Sequence, residues 1–145
     1  MLSFPAYQFQ LRRQGQKNYI FDRIRKKYVA LTPEEWVRQH VVFWLLDDHR
    51  VPEGWIALER GILVNGLKRR TDILVLNRDA LPVLLVECKA PQIPINQAVA
   101  EQALRYNMEA GVRYLWLTNG LEHSLWKLGQ DGPKLMEALP PPGEW

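Results

Sequence analysis

The sequence predicts a single α/β domain in which a mixed β-sheet is flanked by helices. Three observations carry that expectation. Apolar segments of strand length, rich in Val, Ile, Leu and aromatics, alternate with two segments of helical periodicity. The chain has 145 residues, about the size of one domain. Hydrophobic residues make up 47% and charged residues 24%, enough apolar material for one sizeable core.

Taken in order, residues 7–31, "YQFQLRRQGQKNYIFDRIRKKYVAL", mix aromatic, β-branched and charged residues around a glycine and read as one or two short strands. "LTPEEWVRQHVVFWLLDDH" carries strong helix-start chemistry, with Thr32 at the N-cap, Pro33 at N1 and Glu34 and Glu35 in the first turn. Val37, Val41, Trp44 and Leu45 form its apolar face. "WIALERGILV", "RTDILVLNR" and "LPVLLVECK" follow as three strands joined by the turns "NGLK" and "RDAL", which suggests an antiparallel meander. "NQAVAEQALRYNMEAG" reads as a second helix ending at Gly111. "VRYLWLTNG" is a nearly continuous apolar strand, and "HSLWKLGQDG" is expected at a sheet edge. "ALPPPGEW" has too many prolines for regular structure. The organisation expected is a strand or arm over 1–20, a domain over 20–128 and a proline-rich tail over 129–145.

Composition removes several classes of function. The single Cys88 rules out an internal disulfide and fits a reducing cytoplasm. No segment approaches the ~20 apolar residues of a membrane span, and the N-terminus lacks the pattern of a signal peptide. His40, His49 and His123 lack zinc-ligand spacing, and no nucleophile elbow or glycine-rich phosphate loop is present. Trp36, Trp44, Trp55, Trp116 and Trp126 lie in periodic segments, so packing explains them better than base stacking. Net charge is only +3, yet residues 1–31 hold seven Lys/Arg against one acid. "DRIRKKY" is a solvated hairpin edge or a phosphate-binding patch, and charge alone favours the former.

Glu87 and Lys89 end an otherwise apolar strand and share a face. Asp72 opens the preceding strand, so in a hairpin it neighbours Glu87. Two adjacent carboxylates repel unless a proton or cation intervenes, and such oxygen ligands suit Mg²⁺ or Mn²⁺. Lys89 beside them can orient a water or stabilise developing charge. A salt bridge at a strand end is the plain alternative. Downstream, Gln102 and Tyr106 lie at i, i+4 beside Ile95, Val99 and Ala103 on a face expected to point at the sheet. Glu34 is expected on the inward face of the first helix with Arg38 at i+4; Glu35 falls about 100° round the helix.

With those residues in view, the chain resembles the PD-(D/E)xK nuclease superfamily. In particular it is similar to the N-terminal nuclease domain of type I restriction enzyme R subunits, in a compact stand-alone branch. The likeness rests on Glu34, Asp72, "ECK" at 87–89 and the Gln102–Tyr106 pair, within "TPEEWVRQ", "RRTDILV", "VECKAP", "QALRYN" and "LTNG". It runs from about residue 20 to 128.

The resemblance implies a restriction-endonuclease-like fold and Mg²⁺-dependent (or Mn²⁺-dependent) hydrolysis of DNA. It implies metal ligation by Asp72, Glu87 and the Cys88 carbonyl, a catalytic Lys89, Glu34 as supporting acid, and Gln102 and Tyr106 positioning the scissile strand. Arg25, Lys26, Lys27 and Arg70 are candidate DNA contacts. Thr71 stands where the motif has proline, and the absence of motor motifs implies no translocase. The rival reading is a nucleic-acid or protein-binding module with the same fold and little cleavage. A homodimer, or a partner protein supplying targeting, stays open, and a membrane partner is not expected.

Overall fold

Helix-start chemistry acts as the sequence dictates. In the computed structural model, which describes residues 1–64 and 66–145 (Val64 by its backbone alone), Thr32 Oγ1 accepts the Glu35 N–H at 3.0 Å. Three short strands precede that cap: β1 (Leu11–Gln14), β2 (Lys17–Asp22) and β3 (Lys27–Ala30) form their own antiparallel sheet. Helix α1 (Pro33–Phe43) follows and widens into a π turn over Trp44–Asp48.

Next come β4 (Ile56–Leu58), β5 (Gly61–Val64), β6 (Leu67–Arg70), β7 (Ile73–Leu76) and β8 (Pro82–Cys88). Helix α2 (Gln97–Asn107) is capped by the Asn96 side chain, which accepts the Val99 N–H. Gly111, at φ 76°, sits where the chain reverses after that helix. The chain ends with β9 (Tyr114–Thr118), β10 (His123–Lys127), β11 (Lys134–Met136) and a 3₁₀ turn over Pro142–Glu144.

The main sheet has six strands in the order β11-β10-β9-β8-β7-β4. Only β8 and β9 pair in parallel within it, so the expected mixed α/β architecture is what the chain adopts. Alternation along β7 and β8 feeds two cores. Ile73, Val75, Leu84 and Val86 pack with Val37, Val41, Val42 and Leu45 from α1. Leu74 and Leu85 pack with Ala100, Ala103 and Leu104 from α2. One helix thus covers each face.

Four details depart from the sequence-based expectation. The N-terminal segment makes three strands, because Gly15 at φ 63° turns the chain once more before residue 17. The meander is interrupted: β5 and β6 peel off as a separate two-stranded hairpin, and β7 pairs with β4 and β8. Strand β10 is internal, since β11 closes the edge outside it. The proline-rich end is packed, with Trp145 against the α1-side core and its indole N–H donating to the Pro140 carbonyl at 2.8 Å.

Candidate active site

Strands β7 and β8 pair antiparallel with Ile73 opposite Val86. One step outward along that register sets Asp72 opposite Glu87, and the two line one cleft together with Arg69, Arg70 and Tyr106. Asp72 Oδ2 accepts the Cys88 backbone N–H at 2.7 Å, which fixes the carboxyl against the end of β8. Lys89 Nζ stands 4.0 Å from Glu87 Oε2. Burial raises the Asp72 pKa, only partly offset by the Cys88 N–H and by Arg38 and Lys89. Its charged form is therefore uncomfortable as the protein stands, and a further cation would relieve it.

On the α1 side Asp72 meets an ion-pair network. Arg38 Nη2 lies 3.3 Å from Asp72 Oδ1 and 3.6 Å from Glu34 Oε1. Its Nη1 lies 3.3 Å from both Glu35 and Glu59. Arg25 then joins Glu35, Glu59 and Asp22, and Gln39 donates to Asp22 and Glu35. The network runs from the β2–β3 turn through α1 to the mouth of the cleft. The arginines in it are structural cations, each shared among several carboxylates.

This corrects two expectations. Glu34 does not face inward: its side chain is 48% exposed, and Glu35 is the buried acid of the pair. Arg25 and Arg38 draw Glu35 into the interior, while Glu34 stays at the rim. Glu34 nonetheless senses the cleft, since burial and then the nearby Asp72 raise its pKa while Arg38 and Lys89 lower it. Arg25 is not a free surface cation. Burial opposes its charge, but bonds to the Asp22 and Glu35 carboxylates outweigh this and raise its pKa.

Gln102 and Tyr106 are also exposed rather than inward-pointing. Ala103, Leu104 and Asn107 take the buried face of α2 instead. The Gln102–Tyr106 pair still reaches the site, because both residues line an opening whose other walls include Glu87 and Lys89. Lys26 is exposed and pairs with Glu53, Lys27 is exposed, and Arg70 is exposed with a 3.7 Å contact to Glu59.

Arg38 and Glu59 are site residues whose importance the sequence left unstated. The signal for Arg38 was available: a charged residue next to Val37 on a well-buried helix face. Asp22, fully buried, accepts the Ile24 and Arg25 N–H groups and the Arg25 guanidinium within its own turn, and Gln39, 17 positions away, adds a bond from α1.

As a cation site the arrangement is partial. Among the described residues no three acidic, histidine or cysteine side chains converge around one point. The protein supplies two hard carboxylate donors, Asp72 and Glu87, and the backbone carbonyls of the adjoining strand end. That donor chemistry fits a divalent ion keeping several waters and suits Mg²⁺ or Mn²⁺ better than zinc. No helix is long and apolar enough to cross a membrane among the described residues.

No match was found among curated proteins. Among solved structures, a fragment assigned to the HsdR subunit of a type I restriction enzyme from Vibrio vulnificus YJ016 superposes with a TM-score of 0.53. It is 24% identical and covers 79% of this chain, a likeness of fold. The chain in turn covers 24% of that fragment, about a quarter of its length. The family model described as type I restriction enzyme R protein N terminus (HSDR_N) matches residues 33–140, from the start of α1 to beyond β11, and the chain belongs to that family.

Proposed function

We propose that this domain is a metal-dependent nuclease of the PD-(D/E)xK kind that hydrolyses phosphodiester bonds in DNA. One observation carries the reading: Asp72, held by the Cys88 N–H, opposite Glu87 at a strand end with Lys89 alongside. A purely structural strand end gains nothing from an acid whose burial raises its pKa.

In this reading Asp72, Glu87 and the Cys88 carbonyl would hold Mg²⁺ or Mn²⁺, which supplies an activated water and neutralises phosphate charge. Arg38 and the Cys88 N–H orient the Asp72 carboxylate toward the cleft. The Lys89 ammonium faces the reacting phosphate and stabilises the charge that develops there. Gln102 and Tyr106, on the opposite wall, hold the strand to be cut. Glu34 supports from the rim, drawing on Lys89 and Arg38.

A binding module with the same fold is the rival. It is disfavoured because Asp72 and Glu87 at the mouth would repel the phosphate it has to hold. The test is incubation of plasmid and linear DNA, and of RNA, with wild type and Lys89→Ala under Mg²⁺, Mn²⁺ or EDTA. Metal-dependent nicking that disappears in Lys89→Ala while DNA affinity changes little is the expected result. A variant that cuts as fast as wild type leaves Lys89 as a strand-end salt bridge and refutes the assignment.

A further inference from the structure

We infer that the β5–β6 hairpin is a duplex-gripping arm that sets the DNA over the cleft, an inference that rests on the nuclease reading above. The segment "RGILVNGLKRR", residues 60–70, carries Arg60, Lys68, Arg69 and Arg70 and no acid, although the whole chain is only +3. It belongs to no larger sheet. Pairing of Ile62 with Arg69, and of Leu63 with Lys68, divides its side chains between two faces.

The inner face fastens the arm. Ile62 packs on the α2-side core, and the Arg69 guanidinium lies on the Tyr106 ring and donates to its carbonyl. The outer face keeps Leu63, Lys68 and Arg70 in solvent, with Leu63 69% exposed and the Arg70 side chain 75% exposed. Leu67, 70% exposed, shares the inner face with Arg69 and lies farther out along the arm. Strand β6 runs straight into Thr71 and Asp72, so a phosphate held by Arg70 is delivered within a few residues of the acid pair.

Cations flanking an exposed leucine suit a nucleic-acid duplex. Lys68 and Arg70 meet phosphates, while Leu63, on the same face, enters the minor groove as an apolar wedge. Charge decides between this occupant and a protein. A protein interface depletes lysine at its apolar centre, whereas here Lys68 stands directly opposite Leu63.

Duplex binding measured in EDTA across a salt series tests the arm separately from cleavage. In Lys68→Ser/Arg70→Ser the log–log salt slope should fall by about 1–2, at ~0.9 per lost contact. In Leu63→Ser affinity should fall several-fold with the slope unchanged, and 2-aminopurine at the contacted step should lose its fluorescence gain. Circular dichroism confirms that both variants are folded, as expected for substitutions at exposed positions. An unchanged slope in the charge variant overturns the inference, as does a wild type that binds no duplex. So does a leucine variant whose only change is loss of self-association in sedimentation, which would make the arm a contact between copies. A protein that grips DNA through the arm yet cuts nothing retains this inference and loses the nuclease reading. One that cuts with an unaltered slope does the reverse.

Discussion

Arg25→Met is the substitution that most sharply separates fold from function here. On sequence grounds Arg25 is a candidate DNA contact in a basic cluster that charge alone reads as a solvated hairpin edge. In the fold its guanidinium contacts Asp22 at 2.5 Å, Glu35 at 2.7 Å and Glu59 at 3.1 Å, with its side chain 18% exposed. Asp22 is fully buried and Glu35 nearly so. Removing the cation strands two interior carboxylates with only Gln39, Arg38 and backbone N–H groups to share. Breaking a buried pair in this way costs about 3–5 kcal/mol. At about 3 °C per kcal/mol for a domain of this size, Tm should fall by roughly 10–15 °C. Lys27→Ala, at an exposed position, should stay within about 0.5 kcal/mol. Thermal and urea denaturation followed by circular dichroism measure both. Adding Glu35→Gln to Arg25→Met should restore part of the loss, since one stranded charge is gone. An Arg25→Met protein that melts within about 3 °C of wild type and shows a shallower salt dependence of DNA binding would refute the structural role and return Arg25 to the phosphate contacts.

Three further outcomes follow from the titrating groups. Asp72→Asn should abolish any Tm rise produced by Mg²⁺ or Mn²⁺, which acts by mass action on the folded state. Because the folded-state pKa of Asp72 lies above 3.8, charging it costs stability. The advantage of Asp72→Asn without metal should therefore grow as pH rises from about 4 and level off above the folded pKa, read from urea midpoints along a pH series. His40, whose burial lowers its pKa below 6.5, has the opposite sign. Its share of stability is present above pH ~6.5 and is lost as pH falls through its folded pKa. An imidazole resonance that titrates normally near 6.5 by NMR would contradict this.

What was legible in the sequence is what short-range chemistry controls. Thr32, Pro33 and the two glutamates specify one helix start, and Asn96 the other, through bonds spanning three residues. The apolar run to Glu87 specified a central strand, and the acid opening β7 specified its neighbour. What was not legible depends on partners far along the chain. Glu34 and Glu35 are adjacent, and periodicity measured from Val37 and Val41 favoured the wrong one. The buried acid is decided by Arg25, ten positions earlier, which no helical wheel contains. The same holds for the basic cluster, whose cations look equivalent until Asp22 and Glu35 claim one of them. Gln102 and Tyr106 were placed on the right helix and beside the right residues. Their exposure was misjudged because Ala100, Ala103, Leu104 and Asn107 take the buried face of α2, and Gln102 and Tyr106 sit about 100° round the helix from Ala103 and Asn107.

That sheet end explains why a core strand finishes in charged residues. Strand β8 pairs antiparallel with β7 on one side and parallel with β9 on the other, so it is where the sheet changes direction. After Cys88 the chain must leave the sheet to begin the crossover through α2, and Lys89 makes one last ladder bond, its N–H donating to the Thr118 carbonyl at 2.8 Å. Helix α1 packs on one face and α2 on the other. A crevice outside the carboxyl ends of strands is where open α/β sheets bind ligands, because neighbouring connections diverge there. Here α1 presents Arg38 and Glu34 to it, α2 presents Gln102 and Tyr106, and β6 delivers Asp72. Glu87 and Lys89 project where the fold leaves an opening, and their backbone remains tied into the most buried part of the sheet. Rigid backbone with open side chains is the combination that positioned chemistry needs, and a solvated edge strand would supply only the second half of it.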